Sequence, residues 1–337
     1  MYRVIFTVLA GAFTVCFCLL PVLEKLAQEN GLLTHQYPDK IDKRRVPYIG
    51  GIGMFAVFIL VFMLSVRIFP LTISKGQVSF YLFCSGLIVF FGFYDDLKEL
   101  KPAEKLIGQS IAAFIFVIFA MRTQIIYFND SFNIVLSVFW IVLLANAFNL
   151  LDILDGLAGA ISIINIFTFF LFAILTNNHF VLICSACLLG VLFAFLRYNL
   201  PPARIFMGDA GSQFLGFSQA VMAISLSLAP SGKEIGLIIP LVILAIPLFD
   251  FLFVILMRMK QGKSIFLKSN DHFVFKMLEF GIAPQTIIRL MIILSVITNA
   301  CAFTVYLVSN AIGSIVFILV LTALIAFGFK LSRMEIS

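Results

Sequence analysis

The stretch NIVLSVFWIVLLANAFNLLDILDG, residues 133–156, decides the fold. From Ile134 to Ala145 only Ser137 interrupts an apolar run; Asn146, Asn149, Asp152 and Asp155 then follow at steps of three, before Gly156. About 20 apolar residues cross a hydrocarbon core of roughly 30 Å as a helix. Inside that core every backbone N–H and C=O must be bonded within its own segment. The stretch therefore predicts a spanning helix over 133–151 that delivers amides and carboxylates to one membrane face. Each step of three turns about 300° on a helix, so the four polar groups are expected to sweep half its surface and line one wall of a cavity. A charge at mid-bilayer costs roughly 2.5–3.5 kcal/mol, and less near the interface. Two acids and two amides held there point to function over simple capping.

The rest of the chain repeats the pattern. It has 337 residues, 62% hydrophobic and 12% charged, with a mean hydropathy of +1.12, which excludes an ordinary soluble domain. Apolar segments fall at about 2–23, 48–69, 77–94, 106–121, 133–151, 157–176, 180–196, 212–229, 236–257, 286–308 and 312–331. The expectation is an all-α polytopic membrane protein of about 11 transmembrane helices, or 10 if 157–196 holds one fewer. No linker is long enough to separate domains, so 1–337 reads as a single integral-membrane domain, with 2–23 retained as a first helix and not a signal peptide. The six cysteines lie inside apolar segments and read as small hydrophobes; Cys184 and Cys187 form a C-x-x-C without a second pair or a histidine.

Eleven spans make the loops alternate. On one side lie 24–47, 95–105, 152–156, 197–211, 258–285 and the C-terminal tail. Of the 23 Lys and Arg residues, only Arg3, Arg67, Lys75, Arg122 and Lys233 fall on the other side. The positive-inside rule makes the first set cytoplasmic, with the N-terminus outside and the C-terminus cytoplasmic. Topology and anionic lipid account for the net charge of +6, so no nucleic-acid partner is expected. Topology needs no acids, yet of 17 Asp and Glu only Asp130 and Glu234 lie outside. Such clustering suits Mg²⁺, with Mn²⁺ as the alternative, which takes one or two carboxylates and completes its shell with water and phosphate oxygens. Three scattered histidines, His35, His179 and His272, argue against a zinc hydrolase.

Three further polar blocks join the first. Asp95 and Asp96 leave the third span together and can share a metal or divide labour; an acidic helix end in water is the plain alternative. Gly208-Asp209-Ala210-Gly211-Ser212 opens the eighth span, where free N–H groups and the helix dipole offer a phosphate site. Asp209, between glycines, suits a metal ligand; Ser212 fits a phosphate contact or an N-cap. Arg258, Lys260, Lys263 and His272 form a basic loop fitted to a pyrophosphate, or simply to topology.

These blocks, with Pro47-Tyr48-Ile49-Gly50-Gly51 and the run from Pro202 to Ser212, resemble the polyprenyl-phosphate N-acetylhexosamine-1-phosphate transferase family over about residues 31–281. That family includes undecaprenyl-phosphate GlcNAc-1-phosphate transferases and phospho-N-acetylmuramoyl-pentapeptide transferase. The resemblance implies an enzyme of the bacterial inner membrane, its site facing the cytoplasm. Its acceptor is polyprenyl phosphate within membrane lipid, its donor a UDP-N-acetylhexosamine, UDP-GlcNAc first, and UMP is released. It implies a Mg²⁺ and phosphate centre at Asp209, Asp95 and Asp96, with Asp95 a base. Asp152 and Asp155 are implied in catalysis, and Asn146, Asn149, Gly208, Ser212, Arg204, Lys105, Lys263 and His272 in substrate binding. A homodimer is left open. The chain departs from the family pattern at Ile153, where a glycine is usual, at Thr34, Gln36 and Asp42 in the first loop, and at His272-Phe-Val-Phe275, where one histidine of three remains. Rival readings are an ion-coupled transporter and a lipid-binding scaffold without turnover.

Overall fold

The computed structural model describes residues 2–33, 45–69, 73–226, 234–264 and 272–333. Thirteen α-helices account for most of them: α1 (Tyr2–Glu29), α2 (Gly50–Ile68), α3 (Lys75–Lys98), α4 (Pro102–Phe119), α5 (Asp130–Leu151), α6 (Leu157–Leu175), α7 (His179–Asn199), α8 (Gly208–Leu226), α9 (Ile239–Ile243), α10 (Ala245–Lys260), α11 (Phe273–Glu279), α12 (Pro284–Leu307) and α13 (Asn310–Arg333). Among the described residues there is no strand, only an isolated bridge between Leu33 and Pro47. Of these helices, α1–α7, α12 and α13 are each long and apolar enough to cross a bilayer, and the protein is a multi-pass membrane protein. Their outer faces carry Phe83, Phe90, Phe114, Phe139 and Ile318, all exposed. Such surface is tolerable only where lipid is the solvent.

The chain gathers into two compact units. The first holds residues 1–149 and 166–226, the second 150–165 and 227–337. In the first unit the segment expected to span at 212–229 is α8, which starts earlier, at Gly208, and is the odd helix. It bears Asp209, Ser212, Gln213, Ser218 and Gln219, and the last four are wholly buried. Tyr81 and Ser218 share a hydrogen bond of 2.8 Å, and Gln109 donates to Gln213 at 2.9 Å. A helix enclosed by other helices needs no apolar coat. It does need neighbours that come close, and small residues allow this. A Cβ on Gly92 of α3 would lie 2.7 Å from the backbone of Ala210, and one on Gly216 would run into the Leu144 carbonyl of α5.

In the second unit the segment expected at 236–257 is bent. A 3₁₀ turn over 234–238 leads into α9, and the axis then turns by 72° into α10. Pro240 and Pro247 flank the break and lack the N–H groups a continuous ladder would use. The carbonyl of Ile243 accepts the Asn299 amide from α12 at 3.2 Å. Side-chain donors of this kind are how a broken helix keeps its backbone satisfied in lipid.

Candidate active site

The site in the first unit is built by two helix starts, of α4 and α8, and two helix ends, of α3 and α5. Glu99 ends α3 in a left-handed conformation, φ 48°, and Pro102 opens α4, whose start is boxed by Glu104 accepting the Lys101 N–H at 2.9 Å. This tight joint is held by Asp95, whose Oδ1 accepts the Leu100 N–H at 2.7 Å. It brings Lys105, in the first turns of α4, back over the end of α3. There the Lys105 ammonium lies 3.0 Å from Asp95 Oδ2, contacts Asp209 Oδ2, and donates to Asn149 Oδ1 at 2.9 Å. Asn149 in turn donates to Asp209 Oδ1 at 2.8 Å and to Ser212 Oγ at 3.1 Å. Asp95, Lys105, Asn149, Asp209 and Ser212 thus form one hydrogen-bonded cluster drawn from four helices. Behind it Asn146 donates to Gln109 at 2.6 Å, continuing to Gln213.

Asp96 meets different partners. Both of its oxygens accept backbone N–H groups at the start of α8, from Asp209 at 2.9 Å and Ala210 at 3.2 Å. It is a helix cap supplied by another helix. The N–H groups expected to be free for phosphate are therefore taken by a carboxylate of the same chain, which answers the helix dipole in its place. The geometry requires Gly208, at φ +65°, because a Cβ there would lie 2.5 Å from Asp96 Oδ2 and 2.7 Å from the Tyr48 carbonyl. The Pro47–Gly51 segment runs beside 206–207: Phe206 N–H to Pro47 O is 2.7 Å, and the Gly50 and Gly51 N–H groups reach the Phe206 and Met207 carbonyls at 3.0 Å. Burial, with Asp96 nearby, holds the Tyr48 phenol above its usual pKa.

Arg204, expected at the substrate, is committed within the unit. Its guanidinium forks onto Glu24 of α1 at 2.9 and 3.1 Å and lies 5.7 Å from the Tyr198 ring centroid. Asp152 and Asp155 belong to the second unit. The expectation that four polar groups share one helical wall is corrected there: α5 ends at Leu151, and 152–156 is a turn closed by Gly156 at φ +79°. Aspartate and glycine favour turns over helix interiors, which ends the helix before the acids. Lys263 is exposed in the turn after α10, also in the second unit. His272 immediately precedes α11 and bonds Asp250 of α10 through Nδ1 at 3.2 Å. Sequence reasoning left out Glu24, Gln213 and Asp250. A fully buried acid inside α10 carried a signal, because Asp250 interrupts the apolar run Ala245–Met257 on its own.

The donor set can be tested for a cation. Among the described residues no three His, Cys, Asp or Glu side chains gather as a metal cage. Asp95 and Asp209 nonetheless turn hard oxygens onto one point, and the Lys105 ammonium already sits there. Two carboxylates suit Mg²⁺, which takes few protein ligands and keeps water or phosphate for the rest. The residues fit such an ion.

A many-helix membrane protein with an acid–lysine–amide cluster at its helix ends is the class these observations define. The family model described as Glycosyl transferase family 4 matches residues 78–227. A phospho-N-acetylmuramoyl-pentapeptide-transferase of Thermoanaerobacter sp. (strain X514) is 32% identical over 285 residues, covering 77% of this chain and 84% of its own. The undecaprenyl-phosphate alpha-N-acetylglucosaminyl 1-phosphate transferase of Salmonella typhi is 25% identical over 336 residues, 95% of this chain and 89% of its own. A Bacillus subtilis (strain 168) protein named "Probable undecaprenyl-phosphate N-acetylglucosaminyl 1-phosphate transferase" is 26% identical over 310 residues, 90% and 85%. The chain belongs to glycosyl transferase family 4.

Proposed function

We propose that this protein transfers N-acetylhexosamine 1-phosphate, GlcNAc 1-phosphate first among the candidates, from a UDP-sugar to undecaprenyl or another polyprenyl phosphate. The lipid phosphate oxygen attacks the β-phosphorus of the donor, the bond to the UMP oxygen breaks, and UMP leaves. One phosphoanhydride replaces another, so no separate energy source is needed. Chemistry of this kind asks mainly for positioning and charge neutralisation. The observation that carries the reading is the convergence of Asp95, Lys105, Asn149 and Asp209. Lys105 supplies a cation to phosphate oxygens, and Asn149 and Ser212 orient Asp209. In this reading Asp95 accepts the acceptor's proton. Asp209 and Asp95 would hold Mg²⁺, which when bound supplies charge neutralisation between two anionic substrates. Asp152 and Asp155 are proposed as catalytic groups, and Lys263 and His272 as donor contacts.

The basic loops support our reading of a site at the cytoplasmic face of a bacterial inner membrane, with eleven crossings, the N-terminus outside and the C-terminus inside. UMP release from purified protein given undecaprenyl phosphate, Mg²⁺ and a panel of donors tests the proposal. Release with UDP-GlcNAc supports it. Release only with UDP-N-acetylmuramoyl-pentapeptide assigns the alternative donor, which the 32% identity to a pentapeptide transferase favours. Lipid binding without release from any donor refutes catalysis.

A further inference from the structure

The ammonium of Lys105 stands where Asp95 and Asp209 converge. It lies 3.0 Å from Asp95 Oδ2, touches Asp209 Oδ2 and donates to Asn149 Oδ1 at 2.9 Å. An ammonium has three protons and no acceptor, so these partners use its full capacity. Two carboxylates this close repel each other unless a cation stands between them, and within the first unit Lys105 supplies it. The Lys105 side chain is 16% exposed and that of Asp209 29%, so the protein's own lysine fills a centre that a small ion can still reach. An ion held by Asp95 and Asp209 would draw on the same Oδ2 atoms. Two cations on one pair of oxygens repel strongly where water is scarce. Mg²⁺ also demands oxygens at about 2.0–2.1 Å in a near-octahedral shell, which an ammonium, having no lone pair, cannot join.

We propose that Lys105 is the resident counter-ion of this centre. It competes with a divalent cation for Asp95 and Asp209, and it yields when a phosphate group of the substrate draws its ammonium away. The flexible four-carbon stem lets the ammonium leave without moving α4. Once released it needs a new partner, because an unpaired charge in a largely buried place is costly. A phosphate oxygen offers both an acceptor and the opposite charge. Cation and phosphate therefore favour each other's binding, by the same factor in either order. The free protein holds the ion weakly, and the substrate-loaded protein holds it tightly. This coupling rests on the transferase reading; the competition at Asp95 and Asp209 stands apart from it.

Mn²⁺ binding to the purified protein in detergent, followed by electron paramagnetic resonance with no donor or acceptor present, tests the competition. Lys105→Met should bind Mn²⁺ at least about 10-fold more tightly than the wild type, because the competing charge is gone. Lys101 is exposed, so Lys101→Met removes a screened charge and should shift the affinity by less than about 3-fold. Adding Asp209→Asn to Lys105→Met should abolish the tight binding. Lys105→Gln, which keeps N–H donors without the charge, should tighten binding as Lys105→Met does, and it guards against a fold lost to unpaired carboxylates. Mn²⁺ should also raise the Tm of either Lys105 variant more than that of the wild type. Lys105 variants that bind no better than the wild type or Lys101→Met overturn the proposal, as does tight binding that survives Asp209→Asn. UMP should tighten Mn²⁺ binding more in the wild type than in Lys105→Met; equal effects overturn the coupling. A wild type that releases no UMP from any donor sinks the transferase reading, while the Mn²⁺ curves still decide the competition.

Discussion

Asp96→Asn is the substitution that most sharply separates scaffold from chemistry at the cluster. Asp96 accepts the N–H groups of Asp209 and Ala210 at 2.9 and 3.2 Å. Hydrogen bonds contribute about 0.5–1.5 kcal/mol each to a neutral acceptor and about 1.5–3 kcal/mol to an ionised one, so the pair is worth roughly 1–6 kcal/mol. Asparagine keeps one neutral bond, worth about 0.5–1.5 kcal/mol, and turns an N–H₂ towards the other backbone donor. The net loss is roughly 1–5 kcal/mol, concentrated at the start of α8. Thermal unfolding in detergent should therefore fall by several degrees, and UMP release should fall with it because Asp209 loses its footing. Asp209→Asn is the control: it leaves that cap in place. The reasoning is refuted if Asp96→Asn melts like the wild type while losing activity, since Asp96 would then act on the reactants and not on the helix.

Asp209→Asn should abolish UMP release, with melting close to wild type; near-normal turnover would remove Asp209 from the centre. Gly208→Ala should weaken both stability and turnover, since alanine at φ +65° costs about 1–2 kcal/mol and its Cβ meets Asp96 and the Tyr48 carbonyl; a neutral outcome in a melting assay would contradict that geometry. Chelation by EDTA should stop UMP release and added Mg²⁺ should restore it, whereas release persisting in EDTA would exclude the proposed ion. Lys105→Met should lower kcat/KM by at least 10-fold, because the one ammonium among Asp95, Asn149 and Asp209 is gone; unchanged kinetics would make Lys105 a structural partner only.

Composition and apolar run length were enough to read a helical, multi-pass membrane protein, because lipid leaves the backbone no other economical choice for segments like 133–151. The polar blocks were legible for the same reason, since Asp95, Asn149 and Asp209 break apolar runs where water alone explains them poorly. Spacing along a chain does not say where a helix stops. The step-of-three pattern from Asn146 to Asp155 reads as one helical face, and α5 ends before its acids. Nor does spacing name a partner. Asp95 and Asp96 are adjacent, but one faces Lys105 and the other caps α8, because neighbours on a helix point about 100° apart. Arg204 and Glu24 are 180 residues apart, and their pairing exists only once α1 and the loop before α8 are packed. Local sequence fixes what a segment must bury and which groups it can offer. Which groups meet, and hence which carboxylate is free for chemistry, depends on the directions imposed by packing between helices.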